Sequence, residues 1–562
     1  LDRRLKDQTT TFKMLAPDSV EYQGLAEGDK QALKHLVKAA TILNDAFLDM
    51  DHEENIKLKR ALSDAASAGD THAQKALKLF NGMNGCVGLD RESKLTHIFK
   101  GTEEKPGKNF YPSDITEEEF KQTLKEMLKS GKKDEVQAIL SQRSIVRRNE
   151  NGELYSIDYV DAYPHEFQAA ADELEKAAKV STNQYFNKYL MAQAAAFRHA
   201  DPELDCEADR LWAQLQDTPL EFTITREQYG DRLGGIVFED EELANLIKQN
   251  GIDAQTKDAI GIRVGIVNKI GTNELLDFKK YLPELAEQMP LKDQYTQSIS
   301  STGDTKQTMV DADLVYLAGD SGKYRGGITI AENLPNDDKL SVQRGYGRRN
   351  VYHRQVRLGG NPEKLQKRLN AMLDPEMHKY YSENADHRFT IGHENTHSLG
   401  PTSTSLGQYS NIIEENKADM GALASLDYLV QHGKYTEDEK NQILVTWATK
   451  ELLKAKPTLA QAHRVRSVMQ VNYFIEQGAL NIDDNGILHI NLDKMVPAAK
   501  LMIEDDIRLQ LAQDTKQAEA FVNKYFVWTD NMEKAAENIR KVDNSLHGVL
   551  EQPLAEKLLA SE

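Results

Sequence analysis

The sequence predicts an α+β protein that is predominantly helical. Apolar residues recur at helical spacing over most of the chain before residue 220 and again after residue 361, whereas strand-like runs are concentrated in the middle. An HExxH motif in the second helical region adds a candidate metal site. At 562 residues the chain is long enough for two or more folding units, each with its own hydrophobic core.

Helices are expected in most of the N-terminal region. Alanine, leucine and lysine recur at helical spacing in Lys30–Leu48 and Ile56–Leu79, and Gly82–Gly101 is a connection punctuated by glycines. Helical spacing returns in Glu117–Arg147 and Pro164–Leu215. The part of the chain that precedes residue 220 is therefore predicted to be mainly helical.

Short β-strands are expected in the middle of the chain. Four runs are rich in β-branched or aliphatic residues and are bounded by Gly, Pro or Asp. These runs are Leu220–Thr225, Gly261–Asn268, Leu314–Leu317 and Gly327–Glu332. Together they predict one central β element.

The C-terminal region is expected to be helical almost throughout, from about Asn361 to Leu559. A small hairpin at Ala479–Leu492 is the predicted exception, because Asp484-Asn485-Gly486 is a strong turn signal between two short apolar runs.

His393-Glu394-Asn395-Thr396-His397 forms the first half of the candidate metal site. On a helix, two residues four apart stack on one face about one turn apart, so both imidazoles can reach one ion. Glu394 lies beside the first histidine, where it can serve as the general base toward a water molecule. The simpler reading is two surface histidines on a helix.

An acidic cluster supplies the second half of the site. Gly400-Pro401 and the Ser/Thr-rich run after it predict that the first helix ends and the chain turns. A second helix is expected from about Asn411 to Val430, antiparallel to the first. Glu415 can then complete a His393/His397/Glu415 ligand set for one Zn²⁺ ion per chain.

Two further carboxylates are expected to support the ligands. Asp419 lies four residues after Glu415, on the same helix face, where it can accept a hydrogen bond from the outer ring nitrogen of a ligating histidine. Glu414 is expected to do the same for the other histidine. The simpler reading is an ordinary acidic helix start.

These two motifs together resemble the paired signature of the dipeptidyl peptidase III family, whose second motif reads E-E-x-x-A-E/D. Ile328–Asp338 resembles the family's N-[IL]-P-N-x-D-D segment, and Val264–Lys269 resembles its V-x-x-V-N-K strand. His463, followed by a helical run to Gly478, resembles the stretch that carries the family's active-site histidine. The similarity covers roughly residues 220 to 480.

The five-residue HExxH is shorter than the HExxGH of the best known members, and the loop to the second motif is also shorter. Both features are more similar to the compact bacterial branch of the family, some relatives of which carry a fused Nudix domain. The sequence contains no Nudix box (GX5EX7REUXEEXGU), so nucleotide hydrolysis is not predicted.

The resemblance implies a zinc metallopeptidase that releases dipeptides from the amino terminus of short peptides. It also implies two lobes around a cleft, one of them containing a small β barrel or mixed sheet. We expect a mixed α/β lobe at residues 1–340, with its β-rich centre at about 220–335. A mainly helical, zinc-bearing lobe is expected at 341–562, with a C-terminal part that returns to the first lobe.

The resemblance further implies roles for individual residues. Glu394 would be the general base, and His463 and Tyr229 would stabilise the oxyanion. The free ammonium group of the substrate would be bound by three more side chains: Glu227, Asn333 and Asn336. Simpler readings exist for each of these, namely a structural histidine, a surface glutamate and a plain turn around Pro335.

Two other functions stay open at this stage. The first is a zinc hydrolase with another cleavage rule or a non-peptide amide substrate, which the short active-site loop favours. The second is a non-catalytic peptide-binding relative, against which the intact Glu394 counts. A requirement for a free amine would separate the peptidase from the other hydrolases.

The composition of the chain limits the kinds of binding partner that it is expected to have. A net charge of −19 argues against nucleic acid and anionic membranes. Two distant cysteines, Cys86 and Cys206, do not suggest a disulfide framework or a metal site, and no stretch has the length of a transmembrane helix. The chain begins with Leu1 rather than Met, from which we expect a missing upstream segment or a removed export signal, so cytoplasmic and exported locations both stay open.

Overall fold

The computed structural model describes residues 1–562 apart from 8, 90–94, 98, 226–230, 297–306, 324–329, 335–343, 359–361, 402–405, 460, 544–546 and 562. Helices dominate, which confirms the predicted class. The helices are α1 Asp2–Asp7, α2 Val20–Gln23, α3 Glu27–Asp51, α4 Asn55–Ser67, α5 Thr71–Met83, α6 Glu117–Lys129, α7 Lys133–Ile139, α8 Tyr159–Ala162, α9 Pro164–Val180, α10 Gln184–Arg198, α11 Pro202–Ala213, α12 Leu233–Ile236, α13 Glu241–Gln249, α14 Lys269–Lys279, α15 Leu282–Gln288, α16 Arg354–Leu358, α17 Pro362–Met372, α18 Glu383–Thr396, α19 Ser410–Ala424, α20 Leu426–Gln431, α21 Glu437–Lys450, α22 Ala462–Glu476, α23 Leu492–Ala512, α24 Thr515–Tyr525, α25 Asp530–Val542 and α26 Pro553–Ala560.

The strands form one larger sheet and several two-stranded pairs. They are β1 Thr9–Lys13, β2 Val87–Leu89, β3 Leu95–His97, β4 Ser144–Arg148, β5 Leu154–Asp158, β6 Leu220–Thr225, β7 Gly261–Asn268, β8 Gln307–Gly319, β9 Ala331–Leu334, β10 Arg348–Tyr352, β11 Leu480–Ile482, β12 Leu488–Ile490 and β13 His547–Glu551. The β11–β12 hairpin turns at Gly486, which has a positive φ of 78°, as predicted from its Asn-Gly sequence.

The central sheet is mixed. Its strand order is β6-β7-β8-β10-β9, with β8 and β10 parallel and the other neighbours antiparallel. β9 is therefore an edge strand, and in its register Asn333 pairs with Asn350 of β10. Among the strands that the structure describes the sheet does not close, so of the two predicted forms the mixed sheet is observed rather than the barrel.

Several predicted elements differ from the observed ones. The connection at 82–101 contains the β2–β3 hairpin, and the segment predicted as helix at 117–147 ends in β4. The predicted strand at 314–317 is part of the longer β8, whereas β10 and β13 carry no clear signal in the sequence. Strands β10 and β13 pair with β8 and β1, which lie far away in the sequence, and local spacing does not reveal such partners, whereas β2 and β4 each form a hairpin with the strand that follows.

Buried apolar side chains form two large clusters. The first joins α3, α9 and α10 to one face of the central sheet, and the second joins α18, α19, α21, α22 and α23. The two clusters interleave along the chain, since Leu275 and Phe278 of α14 belong to the second. At the C-terminus β13 pairs in parallel with β1, and α26 packs on α3. The lobe boundary near residue 340 stays a prediction.

Helices α18 and α19 approach each other closely through small residues. A Cβ added to Gly392 would lie 2.9 Å from the Cβ of Ala422, and one added to Gly421 would lie 2.3 Å from Cγ2 of Thr396. Only glycine at these two positions allows this distance between the helix backbones. Since these helices carry the HExxH motif and the acidic cluster, their separation decides whether the two motifs can meet.

We expect Gly421→Ala to destabilise the protein although alanine is the better helix former. Overpacking typically costs about 1–3 kcal/mol, against roughly 1 kcal/mol gained from helix propensity. The measurement is the free energy of unfolding in urea. Gly235→Ala is the matched control, because a Cβ at Gly235 meets open space and its φ is not positive. Equal stability of the two variants would contradict the packing argument.

Candidate metal centre

The HExxH segment is helical, as predicted. Ser382 caps the start of α18 by accepting a hydrogen bond from the backbone N–H of Ala385, and His397 occupies the C-cap position. Gly400, with a φ of 78°, then turns the chain away from the helix. The predicted second helix is α19, which begins at Ser410. Both histidines and Glu415 therefore lie on adjacent helices.

Three donor side chains converge at the crossing of the two helices. The distance between Nε2 of His393 and Nε2 of His397 is 3.3 Å. Glu415 spans this pair, with Oε2 3.4 Å from Nε2 of His393 and Oε1 3.9 Å from Nε2 of His397. Two imidazole nitrogens and a carboxylate oxygen facing one point are the donor set of a mononuclear metal site.

The outer ring nitrogens of both histidines face carboxylates. Nδ1 of His393 lies 2.6 Å from Oδ1 of Asp419, and Nδ1 of His397 lies 3.0 Å from Oε1 of Glu414. An ionised carboxylate can only accept, so each Nδ1 carries the proton and each Nε2 keeps its lone pair for a ligand. Asp419 and Glu414 thus occupy the supporting positions predicted for them.

Two observations show that a cation fits this donor set. Within the described part of the chain, Oε2 of Glu415 is buried without a hydrogen-bond partner. Burial by itself would lower the pKa of His393, but Asp419 and Glu415 beside it raise that pKa to about 10. The cluster therefore holds a positive charge between its carboxylates, as a proton or as a metal ion.

Glu394 lies within the same cluster. One side-chain ligand atom each from His393, Glu394 and His397 can be chosen so that all three lie within 4.8 Å of one another. Two carboxylates, Glu394 and Glu415, therefore approach the histidines. Glu415 spans both Nε2 atoms from the neighbouring helix, which fits a ligand, and Glu394 is left beside them, which fits a general base.

Helix α22 supplies the other wall of the site. Nδ1 of His463 lies 3.2 Å from Oε2 of Glu415, and the His463 side chain is 63% exposed. The structure thus brings this predicted residue to the cluster and leaves its ring open to solvent. Arg466, on the next turn of α22, is largely buried, and its Nη1 lies 2.6 Å from Oδ2 of Asp419 and 3.9 Å from Oε2 of Glu415.

Arg466 and Gln470 are residues of the candidate site that the sequence analysis missed. Gln470 donates from Nε2 to Oδ2 of Asp419 at 2.9 Å. Burial by itself would raise the pKa of Asp419, but Arg466 and His393 hold that pKa below its usual value. A signal was present, because His463, Arg466 and Gln470 recur at positions i, i+3 and i+7 and so share one face of α22.

Glu414 is held by a second set of contacts. It lies 3.0 Å from Nζ of the fully buried Lys417 and accepts a hydrogen bond from Nε2 of Gln510 at 2.7 Å. Burial alone would raise the pKa of Glu414, but Lys417 and His397 lower it to about 2. Glu414 is therefore ionised at neutral pH and accepts from His397.

Four of the predicted substrate-side and oxyanion residues cannot be placed through their side chains. Glu227, Tyr229 and Asn336 lie outside the described residues. Asn333 is described for its backbone only, in the edge strand β9. Helix α18 packs against β9, so this strand borders the metal centre.

A helix that carries HExxH and meets a glutamate from a second helix is the arrangement of a metallopeptidase centre.

The fold is similar to that of two solved dipeptidyl-peptidase III structures. The structure of DPP III from Caldithrix abyssi superposes with a TM-score of 0.81 at 25% identity, over 99% of this chain and 100% of that chain. Dipeptidyl-peptidase III from Corallococcus sp. strain EGB gives a TM-score of 0.78 at 23% identity, over 100% of this chain and 98% of that chain. The predicted resemblance to the dipeptidyl peptidase III family is thus confirmed, and this chain shares that fold over its whole length.

Sequence comparison adds one more relative. Nudix hydrolase 3 of Arabidopsis thaliana is 25% identical over 593 residues, which cover 95% of this chain and 72% of that protein. No family model matches the sequence. Within the described residues, no helix combines the length and apolar character that a membrane span requires.

We expect Arg466→Met to be strongly destabilising, by about 3–5 kcal/mol, because it leaves the buried Asp419 carboxylate without its cation. The free energy of unfolding of the metal-free protein measures this cost. Arg508→Met is the matched control: Arg508 pairs with Glu504 at the exposed surface, so its loss should change stability little. A similar small effect of both substitutions would contradict the assigned role of Arg466.

Proposed function

We propose that the protein is a zinc metallopeptidase that releases dipeptides from the amino terminus of short peptides. The observation that carries this proposal is the convergence of His393, His397 and Glu415, with Glu394 beside them, in a chain with the dipeptidyl peptidase III fold. Zinc is the metal we favour, because two imidazoles and one carboxylate leave a tetrahedral ion one open position.

A zinc ion bound by His393, His397 and Glu415 would supply Lewis-acid chemistry, polarising the substrate carbonyl and lowering the pKa of a water molecule. The remaining steps belong to the chain. Asp419 and Glu414 hold the histidines in the tautomer that exposes Nε2. Glu394 takes a proton from the attacking water and passes it to the leaving amine.

His463 is proposed as the residue that stabilises the negative charge on the former carbonyl oxygen, with Tyr229 as a second donor. The support for His463 is its exposed ring, one nitrogen of which lies against Glu415. The contact between Nδ1 and the Glu415 carboxylate orients the ring, so that the other side of the imidazole can face a substrate.

The peptide is proposed to bind as an additional strand on β9. Within the described part of the sheet, β9 pairs only with β10, so its outer backbone groups can accept an extended chain. Main-chain hydrogen bonds of this kind give affinity with little side-chain selectivity. Asn333 in β9, together with Asn336 and Glu227, would bind the free ammonium group and fix the distance from the amino terminus to the cleaved bond.

Nucleotide hydrolysis is not proposed, despite the similarity to a Nudix hydrolase. The sequence of this chain contains no Nudix box, whereas both HExxH and the Glu414–Asp419 motif are complete. Function is carried by the site rather than by overall similarity.

The function is tested with one short peptide and its N-acetylated form, incubated with the zinc-loaded protein and analysed by mass spectrometry. We expect release of the amino-terminal dipeptide from the free peptide only. Glu394→Ala is the control and should retain zinc without activity, because the ligands are untouched. Cleavage of both peptides would discard the exopeptidase assignment, and activity of the Glu394→Ala protein would discard the proposed general base.

The ligand set makes a separate prediction about metal content. His397→Ala and Glu415→Ala should lose both bound zinc and activity, since each removes one of three ligands. Asp419→Ala should bind zinc roughly 10–100-fold more weakly, because it removes only the partner that orients His393. Zinc titration with a competing chelator measures both effects. Equal affinity of the Asp419→Ala and wild-type proteins would contradict the supporting role.

A further inference from the structure

We propose that Tyr352 is a positioning residue that fixes Glu394 relative to the edge strand β9. The inference deepens the proposed function and rests on it for its catalytic consequence. Tyr352 is the last residue of β10 and is fully buried, and its hydroxyl reaches across from the sheet to the HExxH helix.

The Tyr352 hydroxyl is the centre of a bridge between the sheet and α18. It accepts hydrogen bonds from Nδ2 of Asn350 at 3.2 Å and from Nδ2 of Asn395 at 3.1 Å. Its own hydrogen points to the backbone oxygen of Ile391 at 3.5 Å, which also accepts from Asn395 at 2.8 Å. We call these three side chains, Asn350, Tyr352 and Asn395, the β10–α18 bridge.

One end of the bridge is next to the proposed general base. Asn395 follows Glu394 directly and is buried, so its side chain is directed into the protein interior. Any displacement of Asn395 moves the Glu394 backbone with it. Asn395 and Thr396 are the two residues between the histidines that lie outside the metal cluster. Asn395 is hydrogen-bonded to the sheet through Tyr352, whereas Thr396 donates to the backbone oxygen of Gly392 on its own helix.

The other end of the bridge is in register with the proposed peptide edge. Asn350 pairs with Asn333 across the β10–β9 ladder, and Tyr352 pairs with Ala331. A peptide added to β9 would therefore be one strand away from the bridge. The distance from that peptide's carbonyl to Glu394 is set through β10 and the Tyr352 hydroxyl.

This geometry assigns Tyr352 a role separate from metal binding. None of its hydrogen bonds involves His393, His397 or Glu415. Removing the hydroxyl should therefore leave zinc affinity and peptide binding in place and change only the alignment of Glu394. Small misplacements of reacting groups reduce turnover strongly, by about 10²-fold for roughly 1 Å.

The test uses Tyr352→Phe and Asn395→Ala, which break the bridge at its centre and at its α18 end. The matched control is Tyr435→Phe, since Tyr435 lies in the same apolar cluster and its buried hydroxyl has no hydrogen-bond partner within the described residues. We expect kcat to fall about 10–100-fold in both bridge variants, with KM and zinc content unchanged. The double variant should lose no more than either single variant, because both remove the same bridge.

A second readout needs neither zinc nor substrate. Amide hydrogen exchange of the metal-free protein should be faster in the segments 348–352 and 391–397 of both bridge variants and unchanged in Tyr435→Phe. Unchanged exchange in the bridge variants would overturn the inference. An unchanged kcat would also overturn the inference. A fall in kcat accompanied by loss of zinc or by a rise in KM would do the same, because it would mark Tyr352 as merely structural.

If Tyr352→Phe does not fold, the Asn395→Ala protein decides by the same criteria. If the wild-type protein cleaves no peptide, the proposed function fails, and the exchange rates still decide whether the bridge exists.

Discussion

The buried carboxylate of Asp419 is the constraint on which the rest of the site depends. The carboxylate is fully buried, and an unpaired charge at this position would be very costly. The groups in contact with it accordingly donate hydrogen bonds or carry positive charge. His393 of α18 contacts one of its oxygens, and Arg466 and Gln470 of α22 contact the other. Helices α18, α19 and α22 therefore meet at one side chain, and the orientation of His393 is a consequence of that arrangement.

The same principle explains why a cation fits the candidate metal centre. Four carboxylates, those of Glu394, Glu414, Glu415 and Asp419, lie at the crossing of α18 and α19 or directly behind it, and Lys417 and Arg466 are among the basic groups that pair with them. With both histidines neutral, the two carboxylates nearest to their Nε2 atoms, Glu394 and Glu415, favour a positive charge between them. A divalent ion would supply that charge at the point where the two Nε2 atoms and Glu415 converge.

The sequence predicted the parts of the site that depend on local spacing and missed those that depend on distant partners. HExxH on one helix and the acidic motif on the next are local patterns, so His393, His397, Glu415 and Asp419 could be assigned before the fold was known. Arg466 and Gln470 act on Asp419 from another helix, and their spacing alone does not indicate a partner. Strands β10 and β13 were missed for the same reason, because each is stabilised by pairing with a strand far away in the sequence.

Strand β10, which the sequence did not predict, connects the two apolar clusters. Successive side chains of a strand point to opposite faces. Val351 accordingly packs in the first apolar cluster, with the sheet and α3, and Tyr352 packs in the second, with α18. A single peptide unit thus belongs to both cores. Strand β10 also pairs with the edge strand β9. The strand that would hold a peptide and the helix that carries Glu394 therefore contact the same neighbour. Such a shared contact favours a fixed alignment of the peptide carbonyl with the general base, on which the attack of a water molecule depends.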